Sequence, residues 1–297
     1  MIMEPGSPEW HAARAQGIGG SDIAAICELS KFTTPLDVWK VKTGRAEPQP
    51  ESPAMEWGHR LESAVLGKFA DNHGTVERYP LLPAMHHHPN VPIARASLDG
   101  MLRLDDGSGE PVDAKTTRMS WDSIPGDYFM QMQWQMGVTG TKAAWLAVLR
   151  SGRDYEEHRI EFDRILFNDA LEYAQIWWRD HVLADEPPPA TLNDDLATAF
   201  TPKPGLRAEV GRELWDPYLE ARAAVKRATD WLEMVEADVK LAVGSATEVV
   251  VDGEVVATWR PRKPTVSVDR KKLETEFPDV FASVVKNGKE SRTWLVK

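Results

Sequence analysis

The sequence predicts an α/β (α+β) fold in which helices flank a mixed central sheet, with a smaller C-terminal appendage. Two observations carry this prediction. Residues 75–118 form short runs rich in β-branched side chains, bounded by turn residues. Between the N-terminal segments and these runs, apolar residues recur every four positions, which is the spacing of one helix face. The recurring residues are Trp57, Leu61, Val65 and Phe69.

The N-terminal elements are predicted to be helices. Residues 8–45 contain two helix starts: Ser21 is a favoured N-cap after the glycine-rich "GIGG", and Pro35 suits a first turn. Gly44 ends the second of these helices. A longer helix is predicted over residues 54–73, where the apolar spacing is regular.

The middle of the chain is predicted to alternate strands and helices. Residues 97–117 form a hairpin around the turn "DDGSGE". A helix over residues 127–140 follows, and then two strands within 142–163 around "SGRD". An amphipathic helix over 164–183 completes this part of the chain.

A Pro-rich segment, residues 187–206, is predicted to be a linker. It separates an N-terminal core, residues 1–186, from a C-terminal appendage, residues 207–297. The appendage is predicted to begin with a long helix over about 206–243 and to continue with a hairpin at Asp252-Gly253. A strand, a helix over 269–285 and a last strand over 291–297 would finish the chain.

Composition bounds the function. The 297 residues are 42% hydrophobic and 27% charged, as in globular proteins, and the net charge of −11 argues against a protein that passively coats DNA. Residues 259–297 carry ten Lys/Arg against five Asp/Glu, so this end could contact phosphates.

Cys27 is the only cysteine, which excludes a disulfide framework. With no signal-peptide pattern and no long apolar run, the chain is expected in the cytoplasm, without a membrane partner.

Three charged residues in the predicted hairpin suggest metal chemistry. Asp113 and Lys115 are two positions apart on a strand and therefore project from the same face. Asp99 lies on the partner strand. Carboxylates so placed bind Mg²⁺ or Mn²⁺, the ions that phosphodiester hydrolysis uses. Taken alone, an Asp-x-Lys pair is more often a surface ion pair on a hairpin.

Other stretches offer further candidates with simpler alternatives. Glu62 lies on the predicted helix before the hairpin, where an exposed glutamate is the commoner case. A helix over 127–140 would place three polar side chains on the face opposite Phe129, Met132 and Met136, directed at a substrate or a metal-bound water. These three are Tyr128, Gln131 and Gln135. Arg14 and Ser21 bracket the glycine-rich turn, where they could bind a phosphate group, although Ser21 could serve as a cap alone.

The order of these motifs identifies a family resemblance over residues 8–180. Asp99 followed by "DAK" resembles the PD-(D/E)xK nuclease superfamily, with Leu98 in place of the motif's proline. The full set of stretches is similar to the YqaJ-like viral recombinases, the phage lambda-type exonucleases. The matching residues are Trp10/Arg14/Ser21/Asp22, Trp57/Gly58/Glu62, Asp99/Gly100, Asp113/Lys115 and Tyr128/Gln131/Gln133/Thr139/Gly140.

This resemblance implies a restriction-endonuclease-like core over residues 1–186 and a metal-dependent 5′→3′ exonuclease. Such an enzyme degrades one strand of linear double-stranded DNA and leaves a 3′ overhang for a single-strand annealing protein. It also implies two Mg²⁺ (or Mn²⁺) ions, a trimeric ring around the DNA end, and a phage or prophage origin in a bacterial host. Two alternatives remain: an endonuclease of the same superfamily, and a non-catalytic DNA-end-binding scaffold.

The resemblance also assigns roles to individual residues. Four groups would hold the ions: Glu62, Asp99, Asp113 and the backbone carbonyl of Ala114. Lys115 would assist the attacking water, and Gln131 would position that water or the scissile phosphate. Four residues would contact the DNA, the first two at its 5′-phosphate: Arg14, Ser21, Tyr128 and Gln135.

Overall fold

Five strands form a mixed sheet in the order β1-β4-β5-β6-β7. The computed structural model describes residues 3–46, 52–191, 203, 205–261 and 268–285. The strands of the sheet have these bounds: β1 Val76–Glu77, β4 Gly100–Arg103, β5 Gly109–Thr117, β6 Ala143–Arg150 and β7 Asp154–Glu161. Strands β5 and β6 are parallel, and the other neighbours are antiparallel. Two short strands, β2 His86–His87 and β3 Arg95–Ala96, pair separately. The predicted mixed sheet is confirmed.

Six helices accompany this sheet in the N-terminal part of the described chain. Their bounds are α1 Pro8–Ala15, α2 Gly20–Ile26, α3 Pro35–Lys42, α4 Pro53–His73, α5 Gly126–Thr139 and α6 Arg164–Trp177. A π-helical turn, Trp178–Leu183, extends α6. Each predicted helix in this part of the chain is therefore confirmed, with small shifts at the ends. The predicted N-cap Ser21 is wrong, because α2 begins at Gly20 and its N-cap is Gly19, whose backbone N–H donates to Asp22 Oδ2.

The two faces of the sheet are covered by different helices. Val112 and Ala114 of β5 pack against α4 through its residues Val65 and Phe69. On the other face, α5 covers β6. Because successive strand residues alternate between faces, the residues of β5 next to Val112 and Ala114 project toward α5.

The connection between β5 and β6 places α5 over the sheet. A parallel pair cannot be joined by a tight turn and needs a crossover, which α5 supplies. The helix ends at Gly140, whose φ of 73° lies in the left-handed region. α5 and α6 approach closely at Gly137, where an added Cβ would lie 2.1 Å from the Phe167 ring.

One residue of the predicted α4 stripe does not belong to the core. Val65 and Phe69 are buried, but Trp57 is 60% exposed. The first turns of α4 still lie near the sheet, since a Cβ at Gly58 would be 3.7 Å from Thr116 Oγ1 of β5, but the described residues do not cover the Trp57 side chain. The stripe predicted from the sequence is therefore wrong at Trp57.

Contacts divide the chain into two compact units, Met1–Thr201 and Pro202–Lys297. The boundary falls inside the predicted linker. The second unit contains α7 Arg212–Val243, the hairpin of β8 Glu248–Val251 and β9 Glu254–Thr258, and the short helices α8 Arg270–Glu276 and α9 Pro278–Val284.

Two predictions for the second unit need comment. The single helix predicted over 269–285 is wrong, because Pro278 starts a new helix and Phe277 between the two is not helical, with φ −136° and ψ 59°. The last strand, 291–297, lies outside the described residues. Across the described ranges, none of the helices combines the length and apolar character needed to cross a lipid bilayer.

Candidate functional site

Asp113 lies at the centre of a polar cluster on the face of β5 that α5 covers. The residue is 1% exposed, whereas Lys115 and Asp99 are half-buried. Lys115 Nζ lies 2.5 Å from Asp113 Oδ2. On the other side, the amides Gln131 Nε2 and Gln135 Nε2 donate to Asp113 Oδ1 over 2.9 and 3.1 Å. The strand period thus places Asp113 and Lys115 together, and the helical period aims two glutamines of α5 at them.

Asp99 joins this cluster from the segment just before β4. Its Oδ2 accepts a hydrogen bond of 2.9 Å from the backbone N–H of Ala114. Burial and the negative charges of Asp113 and Glu62 together raise the pKa of Asp99 to about 8, although Lys115 and the hydrogen bond from Ala114 lower it. The structure therefore brings Asp99 beside Asp113.

Glu62 approaches the same region from α4, which packs on the opposite face of the sheet. Burial raises the pKa of this half-buried carboxyl, His59 lowers it, and the charge of Asp113 raises it again. Glu62 is therefore within electrostatic reach of both aspartates.

Lys115 is held as an ammonium group. Burial lowers the pKa of Lys115, but attraction to Asp113 and Asp99 more than compensates, so the pKa lies above its usual value. Lys115 Nζ also lies 5.2 Å from the centre of the Tyr128 ring, in a cation–π contact. Trp121 packs against Tyr128 with ring centres 5.3 Å apart. Tyr128 thus contacts Lys115, and its contact with DNA stays a prediction. Its expected place on the face opposite the methionines is wrong, because Tyr128 packs against the cluster that contains Met132 and Met136.

The donor set suits a hard divalent cation, although the side chains do not form a cage as they stand. Nowhere in the described ranges do three His, Cys, Asp or Glu side chains gather closely enough to hold a metal ion. Lys115 occupies one oxygen of Asp113 in this arrangement. The chemistry nevertheless fits, because carboxylates that raise one another's pKa are stabilised by a cation between them. Gln135 Oε1 is buried without a hydrogen-bond partner and is a further hard oxygen donor.

Arg14 and Ser21 form a second polar group at the start of α2. Arg14 Nη2 donates to Ser21 Oγ over 2.7 Å, and the guanidinium lies 5.3 Å from the centre of the Trp10 ring. Behind them, Lys42 Nζ forms an ion pair of 2.7 Å with Asp22. Burial raises the pKa of Asp22, but Lys42 and Arg14 lower it by more, so the carboxylate stays ionised.

The two groups are neighbours through Gly20. A Cβ at Gly20 would lie 2.8 Å from Gln131 Cγ, so α2 and α5 touch at this glycine. Gln131 in turn donates to Asp113. The Arg14/Ser21 group therefore lies one residue from a glycine that contacts the Asp113 cluster.

Sequence reasoning missed three residues of this region: Gly20, Lys42 and Trp121. Gly20 belongs to a noted glycine-rich stretch, but Lys42 and Trp121 have no local signal. Gln133, a motif residue, instead joins α5 to the end of β7, donating to the Glu161 carbonyl and accepting from the Asp163 N–H, both over 2.8 Å.

The raised pKa of Asp99 predicts a pH-dependent stability in buffer without divalent ions. The ordinary pKa of an aspartate is about 4, and that of Asp99 in the folded chain is about 8. Between these two pH values the folded chain binds more protons than the unfolded chain, so the free energy of unfolding falls as the pH rises. We expect Asp99→Asn to melt at least about 2–4 °C above wild type at pH 8, with a smaller difference at pH 5. Calorimetry checks this, with the exposed Asp71→Asn as control. A lower melting temperature at pH 8 would contradict it.

Comparison with known proteins relates the chain to phage-type proteins. Residues 9–142 match the family described as "YqaJ-like viral recombinase domain". The chain is 30% identical over 298 residues to "Uncharacterized protein YqaJ" of Bacillus subtilis (strain 168), an alignment that covers 94% of this chain and 90% of the relative.

Two of the solved structures that are similar to part of this chain are exonucleases by their titles. One is an alkaline exonuclease (LHK-Exo) from Laribacter hongkongensis, with a TM-score of 0.49 and 20% identity, covering 61% of this chain and 94% of that one. The other is a phage related exonuclease from Haemophilus somnus 129PT, with a TM-score of 0.42 and 11% identity, covering 57% and 96%.

Proposed function

This chain belongs to the YqaJ-like viral recombinase domain family, and from that premise we propose that it is a deoxyribonuclease dependent on divalent cations. It degrades one strand of linear double-stranded DNA from the 5′ end and leaves a 3′ overhang. The observation that carries this proposal is the buried Asp113, which is paired with the half-buried Lys115 and lies beside the half-buried Asp99. Withdrawing two carboxylates and an ammonium group from water in this way is costly for folding, and cation-assisted phosphodiester hydrolysis gives the cluster a function.

Glu62, Asp99, Asp113 and the Ala114 carbonyl would hold Mg²⁺ or Mn²⁺. Such ions supply charge neutralisation at the phosphodiester and a hydroxide nucleophile at neutral pH. Gln135, whose Oε1 lacks a partner, lies where it can hold a water beside Asp113. The carboxylates' mutual repulsion favours ion binding over an empty site.

The remaining residues act on the phosphodiester itself. Water attacks phosphorus, the bond from phosphorus to the 3′ oxygen breaks, and the released nucleotide leaves with its 3′ hydroxyl. The resemblance implies that Lys115 assists the attacking water, but its neighbours keep it protonated, so we assign it another role: it donates to a phosphate oxygen and stabilises the developing negative charge. Tyr128 keeps the Lys115 ammonium in place through the cation–π contact, and Gln131 orients the attacking water.

Arg14 and Ser21 would hold the 5′-terminal phosphate. The guanidinium is fixed by Ser21 and Trp10, and charge-assisted hydrogen bonds from arginine suit phosphate oxygens. Each cleavage leaves a new 5′-phosphate on the next nucleotide, so the same group is bound again in every cycle.

This role predicts a substrate-dependent effect of Arg14→Ala. We expect digestion of 5′-phosphorylated duplex to slow by about 10–100-fold, because a charge-assisted hydrogen bond is lost. Digestion of 5′-hydroxyl duplex is expected to stay near the wild-type rate. The exposed Arg60→Ala serves as control. Equal losses on both substrates would refute a phosphate-binding role.

Digestion of linear and covalently closed circular duplex tests the proposed function itself. We expect mononucleotides from linear DNA with Mg²⁺ and no cutting of circles. Rapid cutting of circles would instead indicate an endonuclease, and binding without release of nucleotides would indicate a scaffold. Family membership supports a ring of three copies around the DNA, a single-strand annealing protein as partner for the overhang, and a bacterial cytoplasm as the site of action.

A further inference from the structure

Within the second unit, helix α7 presents an apolar face that the other described elements of that unit do not cover. None of the residues between Arg212 and Val243 is buried by the described residues of this unit. Val225 and Leu232 are 67% and 60% exposed. Helices in water owe most of their stability to packing of such a face, so a helix of 32 residues requires a partner surface.

The apolar residues of α7 follow a heptad repeat. Their spacings alternate between three and four, which is the signature of a coiled-coil seam rather than of a helix on a globular core. The seam residues are Tyr218, Ala221, Val225, Ala228, Leu232, Val235, Val239 and Ala242. An ion pair of 3.1 Å between Lys226 and Asp230 lies on the outer side of the helix.

We propose that α7 pairs with α7 of a second copy of this chain as an antiparallel coiled coil. The two-fold axis lies at position 230. In three kinds of layer this register places a larger seam residue opposite an alanine, and in the fourth it pairs two valines, so no layer consists of two alanines or of two of the largest residues. The layers are Leu232 with Ala228, Val239 with Ala221, Tyr218 with Ala242, and Val225 with Val235. In a parallel coil of two or three copies, each seam residue would pack against the same residue of the other copies. Layers of alanines, too small to fill the core, would then alternate with layers of larger residues such as Leu232.

Charge selects the same arrangement. In the antiparallel register Arg222 of one copy flanks the seam opposite Glu236 of the other, and the two-fold axis repeats this ion pair. Trp231 lies beside the axis and faces its own copy, where two aromatic rings can stack. In a parallel coil the residue opposite Glu236 is Trp231, and the residue opposite Arg222 is Pro217, so neither charge is paired.

A two-fold pair requires an even number of copies in the particle. This inference goes beyond the proposed nuclease function and does not depend on it. If the first unit assembles into a ring of three, pairing of α7 joins two rings.

Light scattering of the full chain tests this pairing. We expect an even number of copies for wild type and half that number for Leu232→Asp. The matched control is Leu241→Asp, which changes a 79% exposed leucine outside the seam and is expected to keep the wild-type mass. An odd number of copies in wild type, or an unchanged mass for Leu232→Asp, would overturn the proposal.

Two further variants test the register without removing an apolar residue. Arg222→Glu is expected to shift the protein toward the half-mass particle, and adding Glu236→Arg is expected to restore the full mass. In a Cys27→Ser background, Thr229→Cys should form a disulfide-linked dimer, because position 229 faces itself across the axis. Ala221→Cys should not. The reverse cross-linking result, or no rescue by the charge exchange, would contradict the antiparallel arrangement.

Discussion

Asp113→Asn is expected to lower digestion of linear duplex DNA by at least about 10³-fold, because several kcal/mol of transition-state stabilisation depend on the cations. The substitution keeps the shape of the side chain and the hydrogen bond from Gln131, but it removes the charge that faces Lys115 at 2.5 Å. The rate is measured with Mg²⁺ in excess on 5′-phosphorylated DNA, so that neither end binding nor ion supply limits it.

A matched control separates this effect from a general loss of charge. Asp154→Asn changes an exposed carboxylate on β7, in the same sheet, and is expected to keep the wild-type rate. Binding of Asp113→Asn to linear DNA in the presence of Ca²⁺ is expected to persist. A variant that digests DNA within tenfold of wild type would show that Asp113 does not hold a catalytic ion.

Lys115→Gln is expected to lower the same rate by about 10²–10³-fold, which is the effect of removing one donor from a site of developing negative charge. The glutamine can still donate a hydrogen bond, but it has no charge, and the contact with the Tyr128 ring is lost. Because Lys115 acts on the reacting phosphate rather than on binding, we expect the loss in kcat with KM nearly unchanged.

Lys115→Arg distinguishes charge from position. The guanidinium keeps the charge but is larger and planar, so it cannot occupy the same place between Asp113 and Tyr128. We expect partial activity, between wild type and Lys115→Gln. The exposed Lys142→Gln is expected to have no effect. Equal rates for Lys115→Gln and wild type would show that the ammonium group does not contribute to catalysis.

The centre of the site follows from local sequence periods. The strand period places Asp113 and Lys115 on one face, and the helical period turns Gln131 and Gln135 together. Both juxtapositions are therefore accessible without a structure. The turn predicts that the two strands form a hairpin. It does not fix the register, which is what brings Asp99 to the Ala114 N–H.

Other features depend on tertiary contacts that no local pattern encodes. Lys42 pairs with Asp22 because α3 packs beside α2, and nothing near Lys42 in the sequence indicates that partner. α4 approaches from the opposite face of the sheet, so the position of Glu62 relative to Asp113 could not be derived from spacing. The periodic Trp57 is exposed for a related reason, since a period shows which residues share a face but not how far the covering surface extends.

The contacts also divide the motif residues into those that contact Asp113 and those that connect elements of the fold, a division that the sequence alone does not make. Gln131 and Gln135 contact Asp113, whereas the intervening Gln133 connects α5 to the carbonyl of Glu161. The three glutamines are alike in sequence, and their spacing of two places the middle one on a different side of the helix. Substitution of Gln133 therefore bears on folding rather than on the chemistry of the site.

Calorimetric titration with Mn²⁺ tests the central claim most directly, because that claim is that Glu62, Asp99 and Asp113 together bind divalent cations beside Lys115. The titration compares wild type with Asp113→Ala at pH 8 in the absence of DNA. We predict that wild type binds about two ions, as two-metal nucleases do, and that Asp113→Ala loses this binding. Equal Mn²⁺ binding by the two proteins would contradict the account.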